Sequence, residues 1–313
     1  MNYGDLIRDA FRITLHNRFL WFFGFFVGGT GTNFFGNVPS RSGDFDDFQQ
    51  SSTMLSAIQV GQGLSNAVLV VGIVIVVLIL ALFFIFLAIV SQGALADSVA
   101  AIDRGEGRRF GTAFGSGMGN FWRVLGYYIL FFLVALGLLV VIAIPVALLI
   151  GGTFAATQST GARISVAVIV GLLALLLLIV VFIPLSIIAQ YALRDIVVRR
   201  ERVLGSVASG YSLFRHNIGR SLLLWLIQIG LAIGIAIAFI LVLLIVGLVL
   251  FIPTIALAVA GSSTTALVVA GAPAVLIVFV LFLVLSGAIG TFSHAYWTLA
   301  YLRLTSGATP RVV

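Results

Sequence analysis

Three polar residues lie at matching places where long apolar segments of the chain end: Gln92, Gln190 and His294. Asp97 and Asp195 follow five residues after the two glutamines. Polar side chains near membrane depth are costly unless they are used or paired. One interpretation is a polar ring that receives a lipid headgroup or another polar substrate. The other is that each side chain caps or pairs with an Asn or Arg of a neighbouring segment and holds helices together.

Arginines cluster in two stretches that each follow an apolar segment. The first contains Arg108 and Arg109, and the second contains Arg199, Arg200 and Arg202. An arginine near a charged membrane surface contributes about 1 kcal/mol of attraction to anionic lipid. These five residues are therefore predicted to bind anionic lipid headgroups. The alternative is that they only set the orientation of the chain in a membrane.

Residue types that support catalysis are scarce. The chain has no cysteine and three histidines, so thiol chemistry is excluded and a zinc site would need scattered ligands. No nucleophile, base and orienting acid occur together, and no carboxylate lies inside an apolar segment, as an ion-coupled relay requires. We therefore expect a protein that is not an enzyme, without catalytic residues, metal site or cofactor.

The composition indicates that these polar and charged residues belong to a protein embedded in a membrane. Hydrophobic residues make up 61% of the 313, charged residues only 9%, and the mean hydropathy is +1.23. A water-soluble globule needs more polar surface than this. The net charge of +7 is typical of basic loops beside membrane spans, so it does not indicate nucleic-acid binding. The sequence predicts an integral membrane protein.

Six apolar segments are long enough to cross a hydrocarbon core of roughly 30 Å. They are Phe19 to Gly36, Leu64 to Val90, Leu125 to Gly152, Ile164 to Ala189, Ser221 to Ile252 and Ala266 to Phe292. The first is the weakest, because aromatic residues give way to glycines within it, and it is a candidate short or re-entrant span. Between it and the second lies an acidic loop, 37–62, whose three aspartates indicate a solvated loop and not a calcium site.

A repeated pattern organises the chain. The segments QGALAD at 92–97 and QYALRD at 190–195 match at four of six positions, and His294 begins a weaker third copy. Asn17, Asn120 and Asn217 mark the points where the chain re-enters an apolar segment after a surface helix. We predict an all-α transmembrane fold of six spans in three tandem helix-pair repeats, about 1–104, 105–202 and 203–307, with amphipathic elbow helices on the cytoplasmic side. The alternative is chance similarity between apolar helices.

Glycines at four-residue spacing mark the second elbow. Gly111, Gly115 and Gly119 share one face of a helix, which permits close helix contact. The alternative is that they only reduce the bulk of a surface helix.

The arginines predict the orientation of the chain. All 17 basic residues are arginines, and all except Arg41 and Arg163 fall on one side of the predicted spans. Because basic loops remain in the cytoplasm, both termini are predicted to be cytoplasmic. The N-terminal segment is predicted to be an amphipathic surface helix; a signal peptide is the alternative. We expect the chain in a bacterial inner membrane.

The elbows, the aromatic re-entry points, QGALAD and the terminal AYWTLAYLRL together resemble uncharacterised bacterial proteins grouped with the membrane domain of glycerophosphoryl diester phosphodiesterase. The resemblance covers nearly the whole chain. In some relatives a soluble phosphodiesterase barrel follows this domain, but the present sequence ends at Val313 without one. The resemblance therefore implies a membrane domain and supplies no catalytic residues.

These observations predict a single integral membrane domain, 1–313, that binds anionic lipid at its cytoplasmic face. We expect it to serve in envelope maintenance or as a membrane partner subunit. Its expected partners are membrane lipids, with a membrane protein or a second copy of the chain as further possibilities, and no nucleic acid. The alternative function is a transporter or lipid-moving permease.

Overall fold

The computed structural model describes residues 2–30, 63–261 and 263–306. Within these ranges the chain forms nine helices and no β-strand, so the predicted all-α class is confirmed. In chain order they are α1 (Tyr3–His16), α2 (Leu20–Thr30), α3 (Gly63–Asp103), α4 (Phe110–Gly119), α5 (Phe121–Ala156), α6 (Thr160–Val198), α7 (Val203–His216), α8 (Ile218–Val259) and α9 (Thr264–Thr305). The predicted acidic loop, 37–62, lies outside the described residues.

Five helices, α3, α5, α6, α8 and α9, are long and apolar enough to cross a membrane. Each contains one of the last five predicted spans, so the chain fits a multi-pass membrane protein. The first predicted span begins as α2, whose 11 described residues measure about 16 Å at 1.5 Å per residue. The remainder of that segment, 31–36, lies outside the described residues, so a sixth span stays a prediction.

The long helices exceed the thickness of a bilayer core. The 41 residues of α3 form one unbroken helix of about 60 Å, twice the roughly 30 Å that a core requires. The C-terminal part of α3, from Leu87 to Ala101, is largely buried. Residues 71–85, earlier in the same helix, are exposed. The buried part therefore belongs to a helical assembly that continues beyond one end of the spans.

That assembly is built from the three short helices and the long helices that they contact. The helix α4 packs on α3, α7 packs on α6, and α1 packs on α9. In addition α3, α6 and α9 contact one another. Each of these three central helices thus carries one short helix. We call this end of the bundle, with α1, α4, α7 and the adjoining ends of the long helices, the arginine-rich end.

Glycines allow two helices to approach closely at the arginine-rich end. A side-chain Cβ at Gly24 of α2 would overlap the carbonyl oxygen of Gly287 in α9, and one at Gly290 would overlap that of Gly24. The hydroxyl of Thr291 donates to the carbonyl oxygen of Leu20 at 2.9 Å across the same contact. Small residues permit such backbone contact between apolar helices. The short helix α2 is thereby fixed against α9.

Candidate functional site

The three re-entry asparagines each end a short helix. The side-chain nitrogen of Asn17 donates to the carbonyl oxygen of Ile13 at 3.0 Å, that of Asn120 to Ser116 at 3.0 Å, and that of Asn217 to Leu213 at 3.2 Å. The same hydrogen bond, four residues back, therefore recurs at all three places. It gives a carbonyl in the last turn of each short helix a side-chain donor, beside the backbone N–H of the same asparagine in the case of Asn17 and Asn120. These asparagines have a structural role at the start of α2, α5 and α8.

Burial recurs around the same asparagines. Seven residues before each one lies a buried small residue: Ala10, Ala113 or Gly210. Three residues before each one lies a second buried residue: Thr14, Gly117 or Phe214. These two positions lie one turn apart and face the central helix on which each short helix packs.

The residues of the predicted polar ring have different surroundings. Gln92 and His294 are buried, and in the described part of the chain no hydrogen-bond partner reaches either the amide of Gln92 or the ring nitrogens of His294. Gln190 accepts a hydrogen bond from Arg194 through its side-chain oxygen. The structure brings Gln190 and His294 to the wall of one cavity, which Gln92 does not line.

The two aspartates of the predicted ring pair with neighbours. Asp97 forms an ion pair with Arg108 at 3.0 Å, and both side chains are about four-fifths buried. Asp195 is 1% exposed and accepts a hydrogen bond from the Tyr301 hydroxyl at 2.5 Å. Arg199 lies 3.7 Å from the same carboxylate oxygen. Each carboxylate is therefore paired with a neighbouring side chain, and the predicted polar ring stays a prediction.

Arg194 is a buried arginine that is not among the predicted site residues. It lies only five residues before the exposed Arg199, but its side chain is 0% exposed. It donates to the backbone oxygen of Gln190 at 3.0 Å and to the side-chain oxygen of the same residue, while Nε and the second terminal nitrogen have no partner in the described chain. Ala96 and Thr298 occupy the matching repeat positions, and both are fully buried. The small residues at those two matching positions are the sequence signal that position 194 is buried.

A cavity of about 1070 Å³ lies between α6, α8 and α9, with smaller contributions from α2 and α5. Most of its wall is formed by leucine, isoleucine, phenylalanine and alanine side chains. Its polar residues are Ser186, Gln190, Gln228, Ser286, Ser293 and His294. Gln228 donates to the Ser293 hydroxyl at 3.0 Å, and no partner within the described residues reaches its side-chain oxygen. Such a cavity, apolar with a few convergent polar groups, is typical of a ligand site.

The arginines predicted to bind lipid fall into two groups. Arg199, Arg200, Arg202 and Arg109 are exposed at the ends of helices, where they can reach a membrane surface. The charge of Arg108 is neutralised by Asp97. The carboxylate of Glu106 also lies 3.7 Å from the Arg108 guanidinium. A hydrogen bond from Arg104 to Glu106, at 2.7 Å, lowers the pKa of that glutamate. The turn between α6 and α7 therefore carries three exposed arginines beside one exposed glutamate, Glu201.

In the described parts of the chain, no three His, Cys, Asp or Glu residues are placed to hold a metal ion together. The predictions of no metal site and no enzymatic activity stay predictions. No curated protein and no solved structure matches the chain. A family model matches residues 18–308, which is most of the chain. The protein therefore belongs to DUF7544, a family of unknown function.

Proposed function

We propose that this protein is a membrane protein without catalytic activity that binds anionic lipid headgroups at its arginine-rich end. Its role would be in envelope maintenance or as a partner subunit of another membrane protein, or of a second copy of the chain. Nucleic acid is not among its partners. Membership of a family of unknown function and the five apolar helices are compatible with this role.

The observation that carries the proposal is the turn between α6 and α7. Arg199, Arg200 and Arg202 are exposed within four residues. Of these three, only Arg199 forms an ion pair within the described residues, with Asp195 at 3.7 Å, and the exposed Glu201 lies between Arg200 and Arg202 in the sequence. Unpaired arginines at a membrane surface attract anionic lipid by about 1 kcal/mol each. We assign the main contribution to these three residues, with Arg109 as a further contact.

The orientation and the repeats belong to the same proposal. Arginines concentrate on the side where α1, α4 and α7 lie, and basic residues favour the cytoplasmic side of a bacterial inner membrane. The recurring asparagine hydrogen bonds support three helix-pair units. The resemblance to the membrane domain that accompanies glycerophosphoryl diester phosphodiesterases stays a proposal that rests on the sequence motifs alone.

Binding is favoured over transport by the extent of the cavity. Its lining on α6 runs from Leu178 to Gln190, which is about 18 Å at 1.5 Å per residue. Along α9 the lining measures about 22 Å, and a hydrocarbon core measures roughly 30 Å, so the cavity does not extend through both leaflets. A transporter or lipid-moving permease needs a path through both leaflets.

Native mass spectrometry with lipid identification tests the proposal. The protein is compared with a variant that carries Arg199→Gln, Arg200→Gln and Arg202→Gln. A matched control, Arg123→Gln with Arg215→Gln and Arg220→Gln, removes the same charge from other exposed positions. We expect the first variant to lose anionic lipid that the wild type and the control retain. If all three proteins retain the same amount of anionic lipid, the arginines of the turn serve only to set the orientation of the chain in the membrane.

A further inference from the structure

We propose that the cavity between α6, α8 and α9 holds one anionic phospholipid, with its hydrocarbon chains against the apolar wall and its headgroup at Gln190, Gln228 and His294. This site is a half-open cavity between the helices, separate from the exposed arginines of the α6–α7 turn. The inference does not depend on those arginines, and it stands if they serve only to set orientation.

The apolar part of the cavity fits hydrocarbon chains from one leaflet. Along α9 the lining runs from Phe282 to Trp297, about 22 Å at 1.5 Å per residue. The walls are largely hydrophobic, and the volume is about 1070 Å³. Close packing is the normal state of a protein interior, so an apolar space of this size is expected to be filled in a bilayer. Lipid chains are the apolar molecules available there.

The polar part of the cavity supplies hydrogen-bonding groups that the protein does not satisfy. Both ring nitrogens of His294 lack a partner in the described chain, although the residue is 1% exposed. The side-chain oxygen of Gln228 lacks one as well. The side-chain oxygen of Gln190 is taken by Arg194, so its amide N–H groups remain to donate. Buried polar groups normally have partners, and a phosphate with adjoining hydroxyl or ester oxygens supplies them.

The charge of the ligand follows from Arg194. This guanidinium is fully buried, and no carboxylate in the described residues pairs with it. Asp195, the next residue, is directed to Tyr301 and Arg199 instead. A buried charge without a counter-ion is expensive. Arg194 does not line the cavity, but it holds Gln190 at the cavity wall and interacts electrostatically with His294. An anionic headgroup at these two residues would compensate it.

The same reasoning distinguishes a phospholipid from a free anion. A phosphate ion would satisfy the polar end and leave the long apolar wall uncovered. A neutral lipid would fill the wall and leave Arg194 without a counter-charge. Only a molecule with both features matches the whole cavity.

The test begins with purified protein in nanodiscs that contain equal amounts of phosphatidylglycerol and phosphatidylcholine. The protein is released into detergent, and retained lipid is identified by native mass spectrometry. We expect one lipid per chain to remain in addition to any lipid that the exposed arginines hold, with phosphatidylglycerol enriched roughly fivefold, as an attraction of about 1 kcal/mol from one arginine would give. Retention of both lipids in the input ratio, or of none, would overturn the proposal.

Variants on α8 locate the lipid. Ala232 and Ala236 line the cavity one turn apart, so Ala232→Phe with Ala236→Phe fills it. Ala238→Phe on the same helix is the control, because Ala238 is exposed and does not line the cavity. We expect the filled variant to lose the retained lipid and the control to keep it. Equal retention in the two variants would place the lipid elsewhere.

Two further variants test the headgroup contacts. Gln190→Leu with His294→Leu keeps the apolar wall and removes two polar contacts, so we expect lipid to be retained without preference for phosphatidylglycerol. Arg194→Gln should have the same effect, and the first variant gives the answer if the second does not fold. The triple variant of Arg199, Arg200 and Arg202 should lose the lipid that the exposed arginines hold and keep one phosphatidylglycerol-enriched lipid per chain. Loss of all retained lipid in that triple variant, with the lipid kept in Ala232→Phe with Ala236→Phe, would transfer the site to the surface arginines and overturn the assignment.

Discussion

The arginine-rich end and the opposite halves of the long helices are stabilised in different ways. Within the described residues, hydrogen bonds between different long helices all lie at the arginine-rich end. They join Tyr127 to Ala189, Tyr191 to Ser221, Gln228 to Ser293, Tyr296 to Leu224 and Tyr301 to Asp195. In the opposite halves the large apolar side chains are mostly exposed, as in residues 71–85 of α3.

This difference follows from the solvent on each side. Lipid tails are as apolar as leucine, so apolar side chains gain little by leaving lipid for another helix. Helices that extend beyond the hydrocarbon core gain from burying the same side chains away from water. The contacts at the arginine-rich end therefore determine how the helices are arranged. The opposite halves of the long helices can face lipid.

Disrupting the closest contact at the arginine-rich end should have the largest effect. In Gly290→Val the new side chain would overlap the backbone of Gly24, and a backbone atom cannot move aside as a side chain can. Overpacking costs about 1–3 kcal/mol and occasionally more, and we expect more than about 3 kcal/mol here. Thermal unfolding in detergent, followed by tryptophan fluorescence, measures the loss.

The control for this prediction is Gly247→Val. Gly247 lies in α8, and a Cβ there would meet no atom within 4 Å. It is a glycine of the opposite half, where the new side chain can face lipid. Equal unfolding temperatures for the two valine variants would show that the contact between α2 and α9 does not hold the bundle together.

A second prediction compares two leucines on one helix. Leu224 is 0% exposed and Leu226 is 59% exposed, only two residues apart on α8. Truncation of a buried leucine to alanine costs about 2–5 kcal/mol. Truncation of an exposed one normally changes stability by less than about 0.5 kcal/mol. We therefore expect Leu224→Ala to lower the unfolding temperature in detergent well below that of Leu226→Ala.

The reverse order of the two leucine variants would contradict the division of the molecule into a packed end and a lipid-facing part. A large and similar decrease of the unfolding temperature in both variants would mean that another chain covers Leu226. Size-exclusion chromatography of the two variants distinguishes an altered oligomer from a less stable monomer.

The sequence was sufficient for the long helices and the asparagines that precede them. Runs of apolar residues define five of the six spans, because their length and composition leave no other stable state in a membrane. Asn17, Asn120 and Asn217 stand out as recurring polar residues at the start of such runs. The structure gives each of them the same hydrogen bond.

The sequence was not sufficient for positions that depend on packing between helices. Arg194 lies five residues before Arg199 and shares its residue type, yet one is buried at the centre and the other is exposed. Gly111, Gly115 and Gly119 show the same limit. A Cβ at any of them would meet no atom within 4 Å, whereas Gly117, outside that spacing, packs against the backbone of Val90. Which face of a short helix turns inward is decided by its neighbours.

The cavity could not be predicted for the same reason. Its lining comes from five helices, and its volume depends on how far α6, α8 and α9 separate. Single residues such as His294 were identified from the sequence, but not the cavity that they share with Gln228. Gln228, a glutamine inside the apolar segment Ser221 to Ile252, is the signal of such a site that the sequence contains.

The smallest expected effect concerns the hydrogen bond between Tyr301 and Asp195. Tyr301→Phe removes the hydroxyl that donates to this carboxylate at 2.5 Å and leaves Arg199, at 3.7 Å, as its remaining partner. A hydrogen bond to a charged group contributes about 1.5–3 kcal/mol. We expect a loss near the lower value, because Arg199 still compensates part of the charge. Tyr211→Phe is the control, since Tyr211 is 52% exposed.

Adding Asp195→Asn to Tyr301→Phe tests the cause of that loss. If the cost arises from a buried carboxylate without its donor, then neutralising the carboxylate should recover part of the stability, because an amide is less costly to bury than a charge. Thermal unfolding of the two single variants and the double variant gives the coupling between the residues. Additive losses would mean that the Tyr301 hydroxyl and the Asp195 carboxylate contribute independently of each other, and the polar contacts of the arginine-rich end would then be less important than its buried apolar core.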